Sequence, residues 1–209
     1  MTEDQSYQSG FGNEFATQAL TGALPVGCNN PQKAPYGLYA EQISGTAFTA
    51  PRGENQRSWL YKISPSARHT PYTEAQHPFI TGNLTSSTVI SPNQLRWDAP
   101  AEPKKTLDFV ESLFPLCTTA TTQSKSGSTI WLYNFNKAMT DSCFCNHDGD
   151  FLVVPQIGEL EVFTEFGTLN AIPGEIVVIQ RGIKFKVANK SGVTSRGYIC
   201  ENHGAHFSL

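Results

Sequence analysis

Charge is scarce in this chain of 209 residues. Only 16% of it is Asp, Glu, Lys or Arg, and the signs nearly cancel to a net −3. That excludes the basic footprint needed to hold nucleic acid or an anionic membrane surface. Long apolar runs are also missing; none approaches the roughly 20 residues that cross a bilayer as a helix. The opening "MTEDQSYQSG" lacks the basic-then-apolar layout of a signal peptide, and the chain reads as soluble and cytoplasmic. There is no GxSxG, no phosphate-cradling GxxxxGK[ST], no dinucleotide fingerprint and no CxxC. The five cysteines, Cys28, Cys117, Cys143, Cys145 and Cys200, are odd in number and scattered. A dense disulfide framework is thereby excluded, and free buried thiols are expected. What is present, 39% apolar residues, suffices at this length for a core in one large or two small domains.

The texture changes along the chain. Residues 1–103 are rich in Gly, Pro, Asn and Gln with brief apolar runs such as "WLYKI" (59–63). They predict a loop-rich segment with short strands, packed on the sheet formed by later residues. In 104–117, "KKTLDFVESLFPLC", Leu107, Val110, Leu113 and Phe114 share one helical face, with Thr106 as N-cap, so one short helix is expected. Beyond the polar "TTATTQSKSGS" come seven runs of strand character: "TIWLYNF", "DFLVVPQ", "ELEVFTE", "GTLNAI", "EIVVIQR", "IKFKVA" and "RGYICEN". Short glycine-bearing turns such as "NHDGD", "PGE" and "RGI" join them, as antiparallel neighbours require. The fold class is therefore mainly β: an antiparallel β-sandwich or jelly roll over 104–209, preceded by the loop-rich segment and the one helix.

"PGEIVVIQRGIKF" (173–185) has the cadence of the second motif of a cupin barrel, whose last turn delivers a histidine to a metal. Such a site also needs two close histidines and a carboxylate on an earlier strand, alternating inward around one ion. Here the first motif strand offers only His147, in "CNHDGD", and Phe185 stands at the ligand position. Phenylalanine cannot coordinate, so an interior packed with Phe, Val and Ile is expected. His203 and His206 in "HGAH" are three apart, pointing to opposite faces on a strand, and read as a surface or core pair. Cys143 and Cys145 share a strand face but lack a second pair, and read as buried small residues. Asp148, Asp150 and Glu159 admit an acid/base pair, but Asp-Gly at strand ends is ordinary turn chemistry. Arg52, Arg57 and Glu41 suit either a small-anion pocket or surface ion pairs.

The stretches "SGFGNEF", "ALPVGCNNPQKAPYGLYAEQISGTAFTAPRGENQRSWLYKISPS", "PNQLRW", "DGDFLVVPQIGELEVFTEFGTL" and "PGEIVVIQRGIKFKV" together resemble the N-terminal half of homogentisate 1,2-dioxygenases, in order, from about Tyr7 to Phe207. The resemblance implies one N-terminal domain of a family built from two β-rich, cupin-related halves. It implies an enzyme that holds Fe(II) by two histidines and a glutamate and opens the ring of homogentisate with dioxygen to give maleylacetoacetate, a step of tyrosine and phenylalanine catabolism. It also implies trimers pairing into hexamers. The family's iron ligands and catalytic histidine lie in its second half, so none of His69, His77, His147, His203 and His206 matches a ligand. His206 matches a position on the last shared strand. No catalytic or metal residue and no bound cofactor is expected in this chain, which alone is expected to be inactive. Departures include Cys28 where glutamine is usual, His203 where tyrosine is common, and a poorly matched 119–142. An alternative reading is a metal-free binding or assembly module, a truncated paralogue. A third, a small metalloenzyme using His147, His203 and His206, lacks ligand spacing.

Overall fold

The structure is a computed structural model that describes residues 33–47, 49–51, 53–55, 57–80, 93, 96–119, 121, 123–190 and 192–208. The readings at Cys28 and Arg52 and most of the loop 81–97 lie outside these residues. The chain divides into two compact units, residues 1–74 with 165–168, and residues 75–164 with 169–209.

In the first unit β1 (Tyr39–Ser44) pairs antiparallel with β2 (Arg57–Lys62), Gln42 opposite Trp59. Leu60 is its buried anchor. Glu41 accepts hydrogen bonds from the backbone N–H and hydroxyl of Ser66, and Lys62 bridges Glu41 at 3.3 Å and Glu165 at 2.7 Å. The Ser66 bonds, ahead of the Lys62 charge, hold the Glu41 carboxyl below its usual range. Burial pulls the Lys62 ammonium down, and the bonds to Glu165 and Glu41 outweigh it, leaving it raised.

The second unit is a two-sheet antiparallel sandwich. Its strands are β3 (Phe114–Thr118), β4 (Ser128–Phe135), β5 (Phe144–Cys145), β6 (Asp150–Ile157), β7 (Leu160–Thr164), β8 (Gly167–Ala171, from Leu169 on in this unit), β9 (Val177–Ile179), β10 (Lys184–Asn189) and β11 (Ser195–Asn202). The larger sheet runs β3-β4-β11-β6-β9 and the smaller β5-β10-β7-β8. All seven runs read from the sequence are strands. Alternation explains them: in β4 Thr129, Trp131, Tyr133 and Phe135 are buried while their neighbours are half-exposed, the period-2 signature of a sheet with one face on a core. The interior holds Phe109, Tyr133, Phe135, Phe151, Phe185, Val153, Val187 and Ile199. Phe185 meets Phe109, Phe144 and Phe151 at ring-centroid distances of 6.1, 5.7 and 6.5 Å, edge-on arrangements that aromatic quadrupoles favour.

The short helix expected over 104–117 is not there. One helical turn forms, capped reciprocally by Asp108 and Glu111: each side chain accepts the other's backbone N–H at 2.9 Å. Ser112 N–H closes it on the Asp108 carbonyl at 3.0 Å. Asp108, not Thr106, is the cap. Pro115 stops the turn, because it has no N–H to donate and drives Phe114 into extended backbone. Strand β3 begins at that residue.

Candidate functional site

The loop before β6 and the turn between β9 and β10, the two places where a cupin-type site draws its ligands, meet in this fold. Gly182 N–H donates to the Asn146 carbonyl at 2.7 Å, and Arg181 N–H donates to Asp150 Oδ1 at 2.9 Å. Gly182 has φ +84°, a left-handed conformation that turns the chain into β10. The next inward residue of β10 is Phe185, 2% exposed, the residue that the sequence motif sets where a ligand is expected.

Strand parity sets the chemistry at this end of the sandwich. Along β11, Ser195, Gly197, Ile199 and Glu201 face inward, and His203 continues the alternation just past the strand. Glu201, 4% exposed, lies opposite Thr129 on one side and Phe151 on the other. Its Oε2 accepts the Trp131 indole N–H at 2.8 Å and its Oε1 accepts the Asn146 amide at 2.6 Å. His203 Nε2 lies 3.4 Å from Glu201 Oε2 and 3.2 Å from the Thr129 hydroxyl, which bonds Thr118 at 2.9 Å. His203 Nδ1 is buried without a partner among the described residues. This is a carboxylate satisfied by neutral donors, which is how a buried charge is tolerated.

The second constellation lies on the other face. Asp150, 1% exposed, accepts N–H bonds from Arg181 and from Phe207 and holds His206 Nδ1 at 3.0 Å. Asp150 is thus more than a turn residue: its carboxylate fastens residues 206–207 to the start of β6. His206 lies past the end of β11, not on it, which corrects the placement expected from the resemblance.

The remaining sequence candidates are not brought together. His147, Asp148 and Glu159 are exposed, and Asp148 N–H caps onto Asn146 Oδ1 as turn chemistry predicts. His69 contacts the Thr70 carbonyl at the surface. His77 donates from Nε2 to the Val110 carbonyl while Nδ1 accepts the Phe79 and Ile80 N–H groups. Arg57 is exposed and Glu41 is engaged by Ser66 and Lys62. The thiols were expected to be buried; Cys117 and Cys143 are exposed and Cys145 and Cys200 half-buried, because the first two lie at a strand irregularity and in a loop, and Cys200 has outward parity. Among the described residues no group of three or more His, Cys, Asp or Glu side chains is placed to hold a metal ion. The interior donor set does not fit an iron held by two histidines and a carboxylate. It offers one histidine, and both Glu201 oxygens already accept N–H bonds.

Two facing antiparallel sheets around this interior, joined by glycine-bearing turns, define a mainly β, cupin-like sandwich. The chain belongs to the homogentisate 1,2-dioxygenase family, matching "Homogentisate 1,2-dioxygenase N-terminal" over residues 6–209. A homogentisate 1,2-dioxygenase of Arabidopsis thaliana is 48% identical over 210 residues, which cover 99% of this chain and 45% of that protein. The chain therefore spans about half the length of this relative. Among solved structures, a cupin superfamily protein from Desulfitobacterium hafniense covers 50% of this chain and 83% of its own at 15% identity and TM-score 0.35. A cupin-2 domain protein from Shewanella frigidimarina covers 36% and 70% at 19% identity and TM-score 0.32. No helix of the described residues is long and apolar enough to cross a membrane.

Proposed function

We propose that this chain is the non-catalytic N-terminal part of a homogentisate 1,2-dioxygenase, acting in the cytoplasm within an oligomer. The ring opening of homogentisate by dioxygen to maleylacetoacetate depends, in this reading, on Fe(II) held by residues outside this chain. One observation carries it: the family match covers 6–209, yet the ligand position of the barrel turn is Phe185, buried among Phe109, Phe144 and Phe151. The chain's role is then to scaffold the catalytic half. The test is to purify the chain with added Fe(II) under anaerobic conditions and measure bound iron and homogentisate-dependent oxygen uptake. Neither is expected. Stoichiometric iron with turnover by this chain alone overturns the proposal.

A further inference from the structure

β5 lies at the edge of the smaller sheet and pairs with β10, Cys145 opposite Lys184 and Phe144 opposite Phe185. Phe144 turns inward: its ring stacks on Phe151 at 6.0 Å and meets Phe185 edge-on at 5.7 Å. Side chains of a strand alternate, so Cys145 faces outward, on the side of Lys184. Cys143, two residues earlier, lies before the strand and outside the ladder. Both are free thiols, Cys143 exposed and Cys145 half-buried. Lys184 is exposed beside them, whereas the Lys186 ammonium leans toward β7, 5.0 Å from the centre of the Phe163 ring. The scaffold role proposed above uses neither thiol.

We propose that Cys143 and Cys145 form a reversible redox site that is oxidised by a small anionic disulfide of the glutathione disulfide class. The exposed Cys143 thiolate attacks one sulfur of that molecule; its S–S bond breaks, a mixed disulfide forms on Cys143 and one small thiolate leaves. The Cys145 thiolate then attacks Cys143 Sγ, the Cys143–Cys145 bond forms and the second small thiolate leaves. The protein gives up two electrons and two protons, and the small disulfide is reduced to two thiols. Geometry sets both the closure and its reversal. Residues two apart on an extended strand have Cα atoms about 6.7 Å apart, at the upper end of the ~4.4–6.8 Å that a disulfide spans. Because Cys143 lies outside the ladder, its backbone closes the gap while Cys145 stays paired with Lys184. The bond so formed is strained and exposed, which makes it labile, the kind of disulfide that comes and goes in a reducing compartment. Lys184 attracts the carboxylates of the incoming molecule. Cys117 and Cys200 have no such route. They flank Ile130 on either side of β4, two strand spacings or about 9.6 Å apart, beyond a disulfide's reach.

The test incubates the full chain, reduced and freed of added thiol, with glutathione disulfide, then alkylates it and cuts it with trypsin. Both thiols fall in one tryptic peptide, residues 138–181, which holds no other cysteine. That peptide is expected to lose two hydrogens and both alkylation sites and to recover them with dithiothreitol, while Cys117 stops at a glutathione adduct. In Cys145→Ser the adduct is expected to stay on Cys143. A wild-type adduct that persists on Cys143 with Cys145 still alkylated overturns the proposal. So does a 138–181 peptide left fully alkylated under conditions that modify Cys117. Lys184→Gln is expected to slow the reaction with glutathione disulfide about fivefold, and that with uncharged hydroxyethyl disulfide far less. Equal slowing of the two overturns the part given to Lys184. The wild-type arms need no substitution, so a variant that misfolds leaves the test standing.

Discussion

The Asp150 carboxylate lies 3.0 Å from His206 Nδ1 and is almost wholly buried beneath it. One side chain thus serves the histidine, the β9–β10 turn through Arg181 N–H and the last described segment through Phe207 N–H. Removing it leaves buried donors unpaired, which costs more than the bonds themselves contribute. Asp150→Ala is expected to destabilise the chain by about 3 kcal/mol. Urea unfolding checks this. A midpoint unchanged from wild type would show the carboxylate to be dispensable.

Phe185 tests the motif directly. Phe185→His places an imidazole where cupin barrels carry a ligand, but here among Phe109, Phe144 and Phe151. With no polar partner and lost aromatic contacts it is expected to cost about 3 kcal/mol. Added Co(II) should give no ligand-field absorption band. Stoichiometric cobalt binding would show that the interior can be opened around an ion.

Gly197 lies opposite Tyr133 across β11 and β4, and a Cβ built on it meets the Tyr133 hydroxyl and the Val154 carbonyl inside contact distance. Gly197→Ala is therefore expected to destabilise by about 2 kcal/mol or more. The tyrosine hydroxyl is itself buried without a partner among the described residues, and burial raises its pKa. Tyr133→Phe is expected to stabilise by about 1 kcal/mol and to reduce the cost of Gly197→Ala in the double variant. Thermal melts of the four proteins give the coupling.

The Glu41 bonds predict a pH dependence with a definite sign. Ser66, then Lys62, lowers the folded-state pKa of Glu41 below its unfolded value. Its contribution is therefore present above the unfolded pKa, near 4.3 by model peptides, and is lost as pH falls through the folded value. Glu41→Gln should speed amide exchange in β1 and β2 at neutral pH and make little difference well below about pH 4. A difference that persists in acid would assign the effect to packing.

The sandwich was legible in the sequence because its strands alternate at period two and are separated by turns with glycine, as in "PGE" and "RGI". What failed had a local or a long-range cause. Leu107, Val110, Leu113 and Phe114 do match a helical face, but Pro115 outweighs that periodicity once Asp108 and Glu111 have capped a single turn. Asp150 sits in "DGD", a turn signal, and its partners come from residues 31 and 57 positions away, which no local pattern exposes. Glu201 and His203 had a signal: they continue the inward alternation of Gly197 and Ile199. Two-residue β5 is too short to leave a periodicity.

The central position of β11 sets an order of assembly. It is the last of these strands in sequence, yet β4 and β6 pair only through it. During synthesis β3 with β4, and β6 with β9, must wait as separate pairs with open edges until residues 195–202 leave the ribosome. Such long-range closure is slow and leaves unpaired edges exposed meanwhile. The edges of β4 and β6 that face β11 have no strand to pair with in this sheet until it arrives.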